Sequence, residues 1–209
     1  QMAKMPIDPR LSRMILAGSH FGVLHDTLII VSALSVQDPR ERPADKQTQA
    51  DQKHALFKEK DSDFLFYTKL WKVLAEQKGE MTENQRRNLT KQHYLSWLRI
   101  REWKQTHKQL LELAEQLKLS FNETKIFDEK INKYVTSNTK QAVVIPDPDG
   151  YVRPANYENL HRALLTGLLS FVAQKTDQKN EYMAVRQQKT RIFPSSTLNR
   201  ANAAWVMSF

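Results

Sequence analysis

Two arginines on a short segment between prolines are the first candidates for ligand binding. Arg40 and Arg42 lie between Pro39 and Pro43, and proline restricts both its own backbone and that of the residue before it. A guanidinium group offers a planar fork of N–H donors that suits phosphate oxygens. The pair therefore predicts phosphate contact. Two alternatives stay open, namely a solvated loop between helices, or an arginine that ties two helices by donating to C-terminal carbonyls.

Two further groups of basic residues could bind an anionic polymer. The group in the middle of the chain comprises Arg86, Arg87, Lys91, Arg99, Arg101, Lys104 and Lys108. The group near the C-terminal end comprises Lys175, Lys179, Arg186, Lys189 and Arg191. Basic loops on a small sheet can hold single-stranded nucleic acid. The alternative for each group is an ordinary charged surface, and we favour that alternative for the middle group.

The sequence has no motif for catalysis, nucleotide binding or metal binding. It contains no cysteine, which excludes disulfides, cysteine-ligated zinc, iron–sulfur clusters and thiol catalysis. It also lacks the phosphate-binding G-x-x-x-x-G-K-[ST] loop, the G-x-G-x-x-G fingerprint and the G-x-S-x-G elbow. Its six histidines never recur at a spacing of three or four residues. We therefore expect no catalytic, cofactor or metal site within these 209 residues.

Composition indicates a basic, globular protein. Hydrophobic residues make up 40% of the chain and charged residues 26%, with a formal net charge of +9. This balance favours an anionic partner such as nucleic acid. No apolar run approaches the roughly 18 residues that a membrane span needs, and no signal peptide is recognisable. We therefore expect no membrane partner and a cytoplasmic location.

Hydrophobic periodicity predicts a mainly helical chain that ends in strands. The expected helices run from Asp8-Pro9 to Gly22, from Thr27 to Val36, from Lys46 to Lys60, from a cap at 61–63 to about Gly79, from a capping box at Thr82, from Tyr94 to Leu119 and from Tyr157 to Leu169. The expected strands cover 181–186, 190–193 and 204–209. The polar, proline-rich stretch 137–154 reads as a surface insertion or linker.

Tryptophans in the long predicted helix allow two interpretations. Trp97 and Trp103 could stack on nucleobases, but their helical spacing favours packing in the core. The same interpretation applies to the aromatic residues Phe64, Phe66, Tyr67 and Trp71.

Seven segments, taken together and in order, resemble the C-terminal helicase-associated region of DEAH-box RNA helicases, particularly the bacterial HrpA type. They cover residues 5–11, 30–43, 62–65, 94–99, 161–170, 192–196 and 205–207. The most distinctive one reads IVSALSVQDPRERP at 30–43. Each segment alone is a weak signal, whereas the combination over nearly the whole chain is specific.

The resemblance implies a helical, ratchet-like bundle followed by a partial, antiparallel OB-type β-sheet. Residues 1–11 would form the exit of a winged-helix domain, and residues 12–155 the ratchet domain with an inserted stretch at about 121–152. Residues 156–209 would form the N-terminal part of a truncated OB-fold. The chain would thus be a piece of a longer protein.

The resemblance also implies a function. This region would clamp and guide single-stranded RNA through its backbone, while RecA-like domains outside the sequence hydrolyse ATP with Mg²⁺. The full-length protein would be an ATP-dependent helicase, and these residues alone would be inactive and hold no cofactor. Their partners would be the RNA and the RecA-like and winged-helix domains.

By position in the family, six residues are assigned to RNA binding. The arginines end the Arg-Pro segment, the lysines occupy the loop between the first two OB strands, and the serines occupy a Pro-Ser-Ser turn whose hydroxyls could donate to phosphates. These residues are Arg40, Arg42, Lys175, Lys179, Ser195 and Ser196.

An alternative function is a protein-interaction module. The OB-like sheet or the stretch 121–152 would then dock a ribosomal or activator protein. A third possibility, a stand-alone enzyme, has no motif to support it.

Overall fold

The computed structural model of the chain describes residues 7–74, 81–121, 124–128, 133–137 and 156–209. Contacts divide the chain into two compact units, one of residues 1–31 and 110–169 and the other of residues 32–109 and 170–209. The helices are α1 (Pro9–His20), α2 (Leu24–Leu34), α3 (Gln47–Ala55), α4 (Leu65–Leu74), α5 (Glu83–Gln92), α6 (Trp97–Gln116) and α7 (Tyr157–Leu168). The strands are β1 (Thr124–Asp128), β2 (Lys133–Ser137), β3 (Val172–Lys175), β4 (Glu181–Ala184), β5 (Lys189–Arg191) and β6 (Trp205–Met207).

The first unit is built on the packing of α1 against α7. The Asp8 carboxylate caps α1 by accepting a hydrogen bond from the Arg10 amide at 2.8 Å, with Pro9 as the first helical residue. The two helices approach closely at Gly167, where a Cβ atom would lie 2.5 Å from the Arg10 carbonyl oxygen. A glycine is therefore needed at this crossing. Met14 packs against the same point and is fully buried.

The connection from α1 to α2 has the turn that the sequence predicts. Gly22 adopts a φ of 70°, a left-handed conformation that glycine enters without steric cost. The helix α2 then begins at Leu24, three residues before the predicted start at Thr27. Its residues Leu28 to Val31 are at most 1% exposed, which confirms a buried helix.

Aromatic residues form the core of the helical part of the second unit. The rings of Trp71 and Trp103 lie 5.0 Å apart, and the Tyr67 ring lies 5.9 Å from that of Trp103. The Trp103 indole N–H is satisfied by the Ser32 hydroxyl at 2.9 Å, as a buried donor requires. Core packing is therefore confirmed for these three aromatic residues.

Two helices of this unit differ in how well local signals predict them. The start of α5 is confirmed, because Thr82 and Gln85 form the reciprocal hydrogen bonds of a capping box. By contrast α3 ends at Ala55 rather than at Lys60. The amides of Phe57 and Lys58 bond to carbonyls three residues back, and this tighter turn carries the Phe57 ring into the core, where it is 7% exposed.

The second unit also contains an open, four-stranded antiparallel sheet in the order β5-β4-β3-β6. Residue Ala173 in β3 pairs with Ala184 in β4 and with Val206 in β6. The buried Tyr182 of β4 donates its phenol hydrogen to the Ala203 carbonyl at 3.0 Å. A mainly helical chain followed by a partial antiparallel sheet is the predicted fold class, and it is confirmed.

The predicted insertion at 121–152 falls largely outside the described residues. Within it, β1 and β2 form an antiparallel pair in which Ile126 faces Val135. The predicted domain boundaries at residues 11 and 155 stay predictions, and the predicted helix end near Gly79 also lies outside the described part of the chain.

Candidate nucleic-acid interface

The segment 37–43, which carries the two candidate arginines, is fastened to the helical part of the second unit by its backbone. The Ser96 amide donates to the Pro39 carbonyl, and the Glu41 amide donates to the Tyr94 carbonyl, each at 2.8 Å. Between these bonds Arg40 forms an antiparallel bridge with Leu95. The segment is thus held against the turn between α5 and α6.

The Arg40 side chain faces inward and is largely committed to protein partners. Its Nε lies 3.0 Å from both oxygens of the Asp38 carboxylate, and its Nη2 lies 2.5 Å from Oδ2. The guanidinium also lies 4.8 Å from the centre of the Phe66 ring, within range of a cation–π interaction.

Asp38 is the centre of this arrangement. It accepts a hydrogen bond from the Tyr67 hydroxyl at 3.3 Å, and its carbonyl accepts one from the Arg99 guanidinium at 3.0 Å. Burial by itself would raise the pKa of Asp38, but the hydrogen bonds and charge of Arg40 lower that pKa below its ordinary value. Arg40 therefore joins the segment to α4 through Asp38 and Phe66. The sequence leaves three interpretations of Arg40 open. The arginine that joins two parts of the protein fits the observed side chain best, although it binds a carboxylate rather than a helix carbonyl.

Arg42 has a different environment. Its Nε and Nη2 lie 2.9 and 2.7 Å from the two oxygens of Asp51, and its side chain is 47% exposed. The hydrogen bonds from Arg42 lower the pKa of the Asp51 carboxyl. The pair is bidentate, the stronger form of ion pair, but solvent has access to both side chains, unlike at Arg40.

The two candidate lysines lie where β3 turns into β4. Lys175 is the last residue of β3 and donates to the amide oxygen of Asn202. Lys179 is exposed in the turn itself, and its ammonium forms no hydrogen bond or ion pair with the described residues. The predicted location between the first two strands of this sheet thus holds for Lys179, while Lys175 lies within a strand.

The Pro-Ser-Ser turn is bound to the start of α4. The Ser196 hydroxyl donates to Asp63 Oδ2 at 2.5 Å, and the amide and hydroxyl of Thr197 donate to Oδ1 at 3.0 and 3.1 Å. The Ser195 carbonyl accepts a hydrogen bond from the Lys58 ammonium. In this conformation the Ser196 hydroxyl hydrogen is already used inside the protein, and phosphate contact by either serine stays a prediction.

The structure does not bring all six candidates into one cluster of free donors. Lys179 is exposed and has no partner among the described residues, Arg42 is exposed but paired with Asp51, Arg40 and Ser196 are held by carboxylates in part-buried positions, and Lys175 is bonded to an asparagine. Sequence reasoning missed Asp38, Lys58 and Asp63, whose partners include residues up to 137 positions away. Only the pairing of Asp38 with Arg40, two residues apart, carries a local sequence signal.

The surface around the start of α6 carries exposed cations, as an ordinary charged face does, together with a tryptophan whose helical spacing favours the core. Trp97 is only half-buried, unlike the core residue Trp103. Around it lie the exposed cations Arg87, Lys91 and Arg101, whose side chains form no hydrogen bond or ion pair with any described residue.

Two absences are established for the described part of the chain. Within it no cluster of histidine, aspartate and glutamate side chains has the arrangement of a metal site. None of its helices combines the length and the apolar character that a bilayer crossing demands.

Comparison with known proteins gives two family matches and a set of relatives. Residues 8–67 match the family described as helicase associated domain (HA2), ratchet-like, and residues 160–209 match the family described as oligonucleotide/oligosaccharide-binding (OB)-fold. The chain is 38% identical over 208 residues to the ATP-dependent RNA helicase HrpA homolog of Haemophilus influenzae, and 38% identical over 207 residues to ATP-dependent RNA helicase HrpA of Escherichia coli. It is 24% identical over 212 residues to the pre-mRNA-splicing factor ATP-dependent RNA helicase prp22 of Schizosaccharomyces pombe.

These alignments cover nearly all of this chain and a small part of each relative. They include 100%, 99% and 99% of the chain, but only 14%, 14% and 15% of the respective relatives. The two family matches follow the order of the fold, with helices first and the sheet last. The chain therefore combines a ratchet-like helicase associated (HA2) segment with an OB-fold segment, and along its whole length it is similar to one region of ATP-dependent RNA helicases of the HrpA type.

Proposed function

We propose that this region binds single-stranded RNA through the phosphate backbone and guides it, while other domains of the full-length protein hydrolyse ATP. The observation that carries the proposal is the 38% sequence identity, along the whole chain, to two proteins that are named ATP-dependent RNA helicases. The net charge of +9 supports it, because neutralising phosphates is the main source of sequence-independent affinity.

The six candidate residues divide into two roles in this proposal. Arg42 and Lys179 contact phosphates directly, since both are exposed; Arg42 exchanges Asp51 for a phosphate, and Lys179 has no partner among the described residues to give up. Lys175 joins them by exchanging the neutral Asn202 for a phosphate. Arg40 and the Ser195–Ser196 turn hold the contacting surfaces in place, because their polar groups are bonded within the protein.

The proposal assigns no nucleotide chemistry to these residues. The phosphate-binding loop that ATP and Mg²⁺ require does not occur in the sequence. The relatives are much longer than this chain, and we assign ATP and Mg²⁺ to RecA-like domains in the part that the alignments leave out. Steady ATP turnover by the purified chain, lost on mutation of the chain itself, would contradict this assignment.

The direct test is binding of the 209-residue chain to a fluorescein-labelled oligouridine, followed by anisotropy at fixed, low salt. We expect the double variant Arg42→Ala/Lys179→Ala to bind severalfold more weakly than the unmodified chain, because it lacks two phosphate contacts. The matched control is Lys53→Ala/Lys72→Ala, which removes two exposed lysines of α3 and α4. Equal losses in both variants would show that only overall charge matters, and would contradict the assigned contacts.

A further inference from the structure

Trp97 differs from the other tryptophans of the helical part of the second unit. It is the first residue of α6 and is half-buried. Its ring contacts no other aromatic ring and its indole N–H has no hydrogen-bond partner among the described residues. Trp71 and Trp103 instead pack against each other, and both are at most 7% exposed. An indole held at the surface without partners needs a different explanation from core packing.

Trp97 lines two surface cavities. The first has a volume of about 450 Å³ and is lined by residues that include Lys46, Arg87 and Lys91. The second has a volume of about 500 Å³ and is lined by residues that include Arg86 and Arg101. Both volumes lie in the range of small-molecule sites. We call the pair the Trp97 groove.

Positive charge dominates the Trp97 groove. The first cavity has three cations against the single carboxylate of Glu41, and the second has three cations against the two carboxylates of Glu83 and Glu102. In the second cavity Lys104 donates to the Leu74 carbonyl, and burial lowers its pKa. The remaining exposed cations, Lys46, Arg87, Lys91 and Arg101, pair with none of the described residues.

The backbone under Trp97 is fixed before any ligand arrives. The Ser96 amide bonds to Pro39 at 2.8 Å, and the Leu95 amide bonds to the Thr90 carbonyl at 2.9 Å. The backbone that carries the indole is therefore held in place at the beginning of a 20-residue helix. Preorganisation of this kind lowers the entropic cost of binding.

We propose that Trp97 is a stacking platform for a nucleobase of single-stranded RNA, with Arg87 and Lys91 of the first cavity and Arg101 of the second holding the adjacent phosphates. The inference rests on the proposed function and adds a specific site to it. An aromatic face flanked by cations along a groove is the arrangement that binds single strands without reading sequence, since every base has a π-face. The excess of cations disfavours an apolar protein helix as the occupant, because its binding would bury their charges without partners.

The test compares two labelled ligands of about ten nucleotides, within the range of single-strand sites, on the 209-residue chain. One is oligouridine, and the other is an abasic ribose-phosphate polymer that has the same charge and no bases. We expect Trp97→Ala to weaken oligouridine binding about 5- to 150-fold, the loss associated with one stacked base, and to leave abasic binding unchanged. Trp97→Phe should retain most of the affinity, because it keeps an aromatic face.

A matched control is Leu56→Ala, which removes another exposed apolar side chain, 64% exposed, outside the groove. It should bind both ligands as the unmodified chain does, and urea melts of every variant verify folding. If Trp97→Ala binds oligouridine normally while Arg42→Ala/Lys179→Ala does not, the groove assignment is wrong and the proposed function stands. Equal losses on both ligands would also overturn the stacking role.

Two outcomes concern the nature of the ligand. If the unmodified chain binds neither nucleic-acid ligand, the proposed function fails, and the groove assignment fails with it. If the chain prefers a polyglutamate peptide to oligouridine, and Trp97→Ala abolishes that preference, the groove binds an acidic protein and the RNA assignment is overturned.

Discussion

At the scale of single residues, Arg40 and Arg42 show how two similar side chains two positions apart take different roles. Arg40 points towards Phe66 and Asp38, whereas Arg42 reaches out to Asp51. The bond of Arg40 is part-buried and shared with Tyr67, whereas the pair formed by Arg42 is open to solvent. The first arginine therefore stabilises the fold and the second remains available to a ligand.

This difference predicts opposite phenotypes for two alanine variants. Arg40→Ala should lower the free energy of unfolding by about 1–2 kcal/mol, the lower part of the range for charged hydrogen bonds, since 36% of its side chain is exposed. Arg42→Ala should leave stability within experimental error and weaken RNA binding. Urea denaturation and anisotropy measure the two effects. Equal destabilisation by both variants would contradict this division.

His54 supplies a pH dependence at the same scale. Burial lowers its pKa below the ordinary value, against the opposing effect of its hydrogen bond to the Tyr94 carbonyl. The native state therefore holds the neutral ring, while the unfolded chain takes up a proton near pH 6.5. Since the unfolded state binds more protons in this window, stability should fall as the pH drops below about 6.5 and stop falling at the lower native pKa.

Urea melts between pH 7.5 and 5 test this dependence. We expect the fall to be smaller in His54→Gln, which has no titrating group at that position. A fall that is identical in the unmodified chain and in His54→Gln would assign the effect to other groups.

At the scale of elements, the main feature is the attachment of the Pro-Ser-Ser turn to the start of α4. One carboxylate, Asp63, accepts three hydrogen bonds from Ser196 and Thr197, and Lys58 adds a fourth bond to the turn. Ser196 also caps a short 3₁₀ helix by accepting from the Leu198 amide at 3.1 Å. The sheet and the helices of this unit are thus coupled through one acidic side chain.

Removal of that carboxylate should loosen the end of the sheet. In Asp63→Ala we expect amide hydrogen exchange to accelerate across residues 194–207, with a loss of about 1–3 kcal/mol in stability, because several donors lose a charged acceptor. The control Asp45→Ala removes an exposed carboxylate that has no partner among the described residues. Exchange rates that match the unmodified chain would show that the turn is held by other contacts.

Local chemistry explains which elements the sequence predicts correctly. The Asp8-Pro9 start of α1 and the capping box of α5 depend on residues at most three positions apart, and both are present as expected. The end of α3, the Asp63 attachment and the exposed side of Trp97 depend on contacts between distant segments. Helical spacing places Trp97 and Trp103 in one stripe, but only the tertiary structure determines which of them the core covers.

In the candidate site, too, some features follow from the local sequence and others only from contacts between distant segments. Sequence and resemblance identify Arg42 and Lys179 as donors on exposed turns, and the structure finds them exposed. They do not indicate that Asp38 holds Arg40, nor that Asp63 holds Ser196, because pairing with a carboxylate follows from the folded arrangement. A positional match to a family segment therefore does not indicate which of its side chains carboxylates hold inside the protein.

At the scale of the whole molecule, binding in this account depends on charge rather than on sequence readout. The chain carries 32 basic against 23 acidic side chains, and exposed cations that pair with no described residue lie on the α5–α6 surface, in the β3–β4 turn and on α1, α3 and α4. Each phosphate contact on a single strand releases bound counterions, so affinity falls with salt by about 0.7 logarithmic units per contact and per tenfold change in salt. Affinity should differ little between single strands of different sequence.

The most direct test of the central claim is therefore the affinity of the 209-residue chain for a labelled single-stranded RNA as a function of KCl concentration. With phosphate contacts by the six proposed cations, we predict that log K falls against log[KCl] with a slope of about −4. Arg42→Ala/Lys179→Ala should reduce that slope by about 1.4, and Lys53→Ala/Lys72→Ala should leave it unchanged. A slope near zero, or a slope that the loss of Arg42 and Lys179 does not change, would contradict the account.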